Sequence, residues 1–438
     1  TIDGTSKTIN LGSAVKATSL TVTDTLDLNG FTLTVSGSIT NSATITESGS
    51  AKIVKAASSC LLTNSSGTEV SEYIIGTDSI YARVVDEDEN LDGTSADTLV
   101  GVTVTGGTNG DSETLSLTET GSATEIFLSS ALTTAALSGG VSANDGTLEL
   151  SHGETITVTY TDDEDSTDAN ASDTATCRLP TANFLVTVAS PQTAGTNFTM
   201  TITARNANNN TDTTYSGTAN ITSTYVSPTS GTKTLATTST STFTSGVATV
   251  TQRYDDAGTI TITATDASNS SIYGTSNNIV FVPDSFTLST SKTTFSVKEP
   301  FTLTITAKNS AGTTTANYKG ASTLSINYVT PSTSQSGTLS TATLTGSSWS
   351  SGVYTLSSFT YNKFGIITIT CKDPTDTTQT GTSSQLTFLP LKLEVSLASP
   401  GGGRDFYYSG EDIATTVKAL DYNGNTISNY LSSVGFTG

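Results

Sequence analysis

One six-residue phrase is written three times in this chain of 438 residues. Thr201-Ile202-Thr203-Ala204-Arg205-Asn206 returns as Thr304-Ile305-Thr306-Ala307-Lys308-Asn309, and more loosely as Thr416-Val417-Lys418-Ala419-Leu420-Asp421. A tyrosine follows at the same offset each time: Tyr215, Tyr318 and Tyr430. The phrase alternates polar and apolar residues, so every second side chain falls on one face of a strand. The first two copies run on for roughly a hundred residues, the size of one β-sandwich. The third reaches Gly438 half built. The pattern predicts a tandem array of small β-domains rather than a compact enzyme.

The two long copies occupy 181–283 and 284–390, and a partial copy occupies 391–438. Gly258-Thr259-Ile260-Thr261-Ile262-Thr263-Ala264 matches Gly365-Ile366-Ile367-Thr368-Ile369-Thr370-Cys371, and each copy closes on a proline, Pro283 and Pro390. With almost no linker, neighbouring copies should abut rather than swing. Half a sandwich leaves strand edges and half a core open. The partial copy is therefore expected either to continue in a longer array or to be completed by another subunit.

Composition points the same way. Ser and Thr make up about a third of the chain, far from average usage. Thr favours strands, while Ser, Asn and Gly favour turns. The net charge of −21 disfavours nucleic acid and anionic membranes as partners, because both require basic patches. No apolar run is long enough to span a bilayer. A chain that begins at Thr1 reads as processed or trimmed. Sequons at Asn64, Asn170, Asn197, Asn209, Asn220 and Asn269 permit glycans.

The charge is uneven. Of the 39 acidic residues, 19 lie between Arg83 and Arg178, where there is no Lys or Arg. This segment, 70–179, shows period-two runs at 79–85, 99–104, 114–117 and 155–160, separated by turn signals such as Asn109-Gly110 and Asp145-Gly146. It reads as a sandwich of its own. Residues 1–58 carry very short strands such as Thr32-Leu33-Thr34-Val35, which suit either stacked parallel rungs or an antiparallel meander. Two or three rungs need a neighbour to lean on.

The candidate chemistry is acidic. Asp86, Asp88, Asn90 and Asp92 place oxygen ligands at alternate positions, as calcium loops do, and Asp162, Asp163, Asp165 and Asp168 form a second cluster. Each cluster follows a strand. If those two strands run parallel, the clusters meet at one pole, where crowded carboxylates repel unless a cation joins them. Ca²⁺ is the expected ligand, and a solvated acidic loop is the alternative. Cys60 and Cys177 bracket the acidic segment, and one option is a bridge between them. Cys371 stands where the sister copy has Ala264, which suggests a small core residue. Trp349, the only Trp, corresponds to Phe243 and reads as core in preference to a sugar platform. Tyr254 and Tyr361, four residues before Gly258 and Gly365, suit a structural tyrosine corner. One histidine, His152, and no nucleophile or phosphate-loop motif leave catalysis without support.

Several phrases carry a resemblance. Leu28-Asn29-Gly30-Phe31-Thr32-Leu33-Thr34-Val35 resembles β-helix rungs of secreted bacterial proteins. The stretches 84–92, 110–121 and 156–162 resemble an Ig-like module of archaeal and bacterial S-layer and giant surface proteins, although Ala123-Thr124-Glu125-Ile126-Phe127 departs from its usual Asn-Thr-Gly-x-Phe phrase. The long copies resemble bacterial Ig-like repeats of extracellular fibres and adhesins. The resemblance implies an all-β fold of tandem Ig-like antiparallel β-sandwiches preceded by a β-helix-like or meander segment. It implies an extracellular or cell-surface location and a structural role in an S-layer, sheath or fibre. Self-association of identical subunits, by β-strand addition, would build the assembly. An adhesin stalk and a carbohydrate-binding accessory region are the alternatives.

Overall fold

The computed structural model describes residues 9–10, 14–47, 49–55, 59–162, 171–229 and 234–437. The chain forms two compact units, residues 1–180 and 181–438.

The first unit begins with a solenoid. Its strands pair in parallel on three faces: Ile9–Asn10 with Leu26–Asp27 and Ile45–Thr46, Val15–Ala17 with Thr32–Val35 and Lys52–Lys55, and Leu20–Val22 with Ile39–Asn41. Parallel pairing rules out the antiparallel meander. In register, Leu26 stacks on Ile45, Leu33 on Ile53 and Leu20 on Ile39, which gives a core of short aliphatic ladders with Thr and Ser outside. Such a stack is short of rungs, and its next neighbour supplies the missing contacts. Backbone of the 86–93 segment runs along it: Leu91 O accepts from Ile45 N (2.7 Å) and Gly93 N donates to Ala43 O (2.7 Å).

The rest of this unit is an eight-stranded sheet wrapped round its own core, with a parallel pair of short strands, Thr133–Ala136 and Thr147–Leu150, that adds Leu148 and Leu150 to that core. The strand order is Glu72–Ile74, Ala171–Arg178, Glu154–Tyr160, Thr98–Gly106, Ser112–Glu119, Ile126–Ser129, Tyr81–Val85, Ser59–Thr63. The sheet coils far enough for its two edges to meet. Asp173 accepts from Leu62 N (2.9 Å), and Tyr73 hydroxyl donates to Thr63 O (2.8 Å). Tyr81–Val85 and Glu154–Tyr160 are four antiparallel steps apart and hence run the same way. Their C-terminal ends, which carry Asp86 and Asp162, therefore emerge at one pole. Cys60 and Cys177 are free buried thiols on the two edge regions, so the bridge between them does not form.

The second unit repeats one sandwich. The first copy packs Thr181–Val188, Asn197–Asn206 and Val247–Arg253 on a sheet of Gln192–Thr193, Ile279–Val282, Gly258–Asp266 and Ala219–Ser227. The second copy sets Ser285–Thr290, Phe301–Lys308 and Val353–Phe359 against Thr294–Ser296, Leu386–Leu389, Gly365–Lys372 and Thr323–Thr330, in the same order. A Cβ on Gly274 or Gly381 would strike the carbonyl of Phe184 or Phe286, which is why both copies keep glycine there. The third copy has Lys392–Leu397 paired antiparallel with Thr415–Leu420.

The repeated phrase now has a mechanism. Its last residue caps a tight turn. Asn206 Oδ1 accepts from Asn208 N and Asn210 N, Asn309 Oδ1 from Ala311 N and Thr313 N, and Asp421 Oδ1 from Asn423 N and Asn425 N. The turn itself uses only the oxygen, so Asp421 caps it as well as asparagine does, while Asn309 Nδ2 is left to donate to Asp255 O (3.0 Å). The following tyrosine then turns inward: Tyr215 hydroxyl meets Asp266, and Tyr318 hydroxyl meets Asp373.

Trp349 is core. It is 1% exposed, packs edge-on to Tyr318 and Tyr354, and donates from Nε1 to Gly320 O at 2.8 Å. Phe243 makes the corresponding contacts with Phe184 and Tyr215. Cys371 is buried among the same residues. Tyr254 and Tyr361 are buried, and the Tyr254 hydroxyl donates to the Tyr225 hydroxyl (2.6 Å).

Candidate cation site and the joints between repeats

Most carboxylates of the acidic segment are structural. Glu119 accepts from the N–H groups of Asp97, Thr124 and Glu125, Glu154 from those of Thr108, Asn109 and Ser151, and Glu113 from those of Asp145 and Gly146. These side chains satisfy loop backbone that would otherwise be buried unpaired. Their abundance thus reflects turn-tying as much as solubility.

One group differs. Asp86, Asp88 and Asp162 are all buried, and one oxygen of each lies within 4.8 Å of the others. Asp86 Oδ2 accepts from the Tyr160 hydroxyl (2.6 Å), and Asp88 Oδ2 from Lys55 N (2.7 Å) on the last solenoid rung. The neighbouring Glu87 accepts from Ile39 N (2.8 Å) and pairs with Lys55 Nζ (2.5 Å). Burial, with Asp86 hydrogen-bonded beside it, holds the Asp88 carboxyl far above its usual range. Burial lifts Glu89 to about 7, with Asp86, Asp162 and Glu47 adding repulsion, and burial also raises Glu47. Burial raises the Tyr160 phenol as well.

Of the eight sequence candidates, Asp86, Asp88 and Asp162 converge as parallel strand ends require. Asn90 is 1% exposed; its backbone carbonyl accepts from Asn41 Nδ2 (2.8 Å), while its buried side-chain Oδ1 has no donor. Asp92 lies outside the converging group. Its oxygens accept from Thr94 and Ser95 in a local turn, which holds its carboxyl down at about 2. Asp163, Asp165 and Asp168 lie outside the described residues. Sequence reasoning missed Tyr160, Glu89 and Glu47. Tyr160 ends an alternating strand and reads as core, and nothing local marks Glu47 as a neighbour of this pole. His152 is no base in waiting, because its Nδ1 accepts from Leu179 N at 3.2 Å.

In the second unit the same joint is built twice. Ser310 N donates to Ala194 O (3.0 Å) across the first boundary, and Tyr422 N to Val297 O (2.9 Å) across the second. These are equivalent positions in successive copies. Asn317 N and Nδ2 hold the Asp256 carboxylate (3.0 and 2.8 Å), and Nδ2 also reaches the Tyr225 hydroxyl (2.7 Å). Its counterpart Asn429 clamps the Phe364 backbone, accepting from N (3.0 Å) and donating to O (2.9 Å). Tyr430 packs edge-on to Phe364, and Lys298 pairs with Asp421 (3.0 Å). The core of the second copy takes in Ala257 from the first and Ala419 and Ile427 from the third.

Among the described residues no helix is long and apolar enough to cross a membrane. Sequon residues Asn64, Asn197, Asn209, Asn220 and Asn269 are exposed, and Asn170 lies outside the described residues.

A family model described as DUF6701, third domain, matches residues 256–387, less than half of the chain. No curated protein matches. Solved structures with similar repeats include the Escherichia coli adhesin FdeC, at 17% identity over 76% of this chain and 97% of that one, with a TM-score of 0.39. Invasin, a bacterial integrin-binding protein, is 12% identical over 78% of this chain and 60% of its own, with a TM-score of 0.31. The Yersinia pseudotuberculosis adhesin InvE is 16% identical over 48% and 60%, with a TM-score of 0.28. Likenesses at this level extend to neither ligand nor partner.

Proposed function

We propose that this chain is a structural segment of an extracellular prokaryotic surface assembly, of the S-layer, sheath or fibre kind, in which Ig-like repeats act as a stiff spacer. The observation that carries this reading is the joint built twice at equivalent positions. A flexible tether would have free linkers, whereas here each boundary combines backbone bonds, an asparagine clamp and shared apolar core. An ordered joint resists bending because any tilt must break several of these together. An adhesin stalk would use the same mechanics. The test is small-angle scattering on residues 181–438. The parent should scatter as one narrow conformer, and Asn317→Ala, which removes the Nδ2 bonds to Asp256 and Tyr225 and leaves the backbone N–H bond to Asp256, should broaden the distance distribution and cost about 1–3 kcal/mol. A parent already as broad as the variant would overturn the spacer reading.

Self-association of identical chains by strand addition is the second element of this reading. Its candidate surface is the face of Lys392–Leu397 that presents Leu393, Val395 and Leu397. Sedimentation at rising concentration should show a mass increase that Val395→Lys abolishes. A parent that stays monomeric at high concentration would rule this element out while leaving the spacer reading intact.

A further inference from the structure

We propose that Asp86, Asp88, Asp162 and the amide oxygen of Asn90 hold a calcium ion that clamps the solenoid to the eight-stranded sheet. This goes beyond the spacer reading and does not depend on it. The carboxylates arrive from two strand ends on opposite sides of one core, so the gathering comes from the fold and not from a local acidic run. Along 84–91 burial alternates. Val84, Asp86, Asp88 and Asn90 are buried, while Val85, Glu87, Glu89 and Leu91 are partly open. Asn90 is thus buried in the same alternation as Asp86 and Asp88.

Its Oδ1 is the independent sign of a ligand: a buried amide oxygen without a donor costs free energy unless something positive completes it. Tyr160 and Lys55 N supply single hydrogen bonds to Asp86 and Asp88, and the nearby Lys55 Nζ is taken by Glu87. The size fits as well. Ligands on opposite sides of Ca²⁺ stand about 4.6–5.2 Å apart, and the three carboxylate oxygens fall within that span. An all-oxygen set of mixed carboxylate and amide groups, drawn from strand ends of uneven geometry, suits calcium better than magnesium, which demands a tight octahedron.

The cation would do mechanical work. Asp88 also accepts from the last solenoid rung, and the 86–93 segment runs along that solenoid, so a bound ion would join three pieces of chain at one point.

The test uses the full chain, stripped with chelator and titrated with CaCl₂, MgCl₂ or TbCl₃. One Ca²⁺ is expected to bind with Kd at or below about 10⁻³ M, as extracellular modules do. Tyrosine excitation should sensitise Tb³⁺ emission, because Tyr160 touches Asp86. Saturating Ca²⁺ should raise the melting temperature of the first unit by roughly 5 °C. Asp162→Asn and Asp88→Asn should each weaken binding at least about tenfold, yet melt no lower than the stripped parent, because they also remove buried repulsion. Asp92→Asn, which changes a carboxylate used only in its own turn, should bind Ca²⁺ like the parent. No binding at millimolar Ca²⁺, tighter binding of Mg²⁺ than Ca²⁺, or equal loss in Asp92→Asn and Asp162→Asn would each overturn the proposal.

Discussion

Replacing Trp349 with alanine is expected to destabilise the second sandwich by about 3–5 kcal/mol, the usual cost of removing a large buried aromatic. The ring fills the space between Phe286, Tyr318 and Tyr354, and its Nε1 satisfies the carbonyl of Gly320. Alanine would leave a cavity and a half-buried acceptor without its donor. Trp349→Phe, which copies the Phe243 solution of the first sandwich, should cost only about 1–2 kcal/mol. Because this is the sole tryptophan, calorimetry must read the effect. A Trp349→Ala protein that melts like the parent would show that the ring contributes nothing to the core, and would reopen the sugar-platform alternative.

The second large effect is a pH dependence of the first unit. Stripped of divalent cations, this unit should lose stability as pH rises from about 4.5 to 7, by on the order of 3 kcal/mol. Burial raises the folded-state Glu89 from 4.5 to about 7, and Asp86, Asp162 and Glu47 push the same way against a single opposing Lys52. Below the unfolded value both states hold the proton and nothing is lost. Between the two values the unfolded state ionises while the folded state must keep its proton, so stability falls until the folded value is passed. The raised Asp88 carries the same trend to higher pH. Trp349 fluorescence reports only the second unit, where burial raises the Asp256 carboxyl, and so lets the two units be followed separately. Calcium should oppose the first unit's trend, because binding uses ionised carboxylates. A stripped first unit whose melting is flat or rises over this window contradicts the placement of these groups.

The acidic pole also shows where sequence reasoning stops. Alternating Asp86, Asp88 and Asn90 are visible in the primary structure, and so is the cluster that begins at Asp162. That the two meet depends on Tyr81–Val85 and Glu154–Tyr160 running in the same direction, which is a property of strand order. Regular spacing was a poor guide at Asp92. A turn at Thr94 and Ser95 consumes its oxygens, and such local competition by Asx side chains is common in loops. Cys60 and Cys177 looked like a bridge because they flank the acidic segment, but each is buried as a free thiol in its own stretch of sheet.

The repeated phrase determined a great deal by itself. Its period-two pattern dictated strands, its terminal Asn or Asp dictated the capped turn, and the match of the two copies placed Trp349 and Cys371 in the core, because all of these are short-range or face-by-face properties of the chain. Tertiary structure alone decided that the short strands from Val15–Ala17 to Lys52–Lys55 stack in parallel, that the acidic sheet is continuous and coils until its edges meet, and that successive repeats lock through Asn317 and Asn429. Each of these depends on contacts between residues far apart in sequence, where hydrophobic period and turn chemistry give no register.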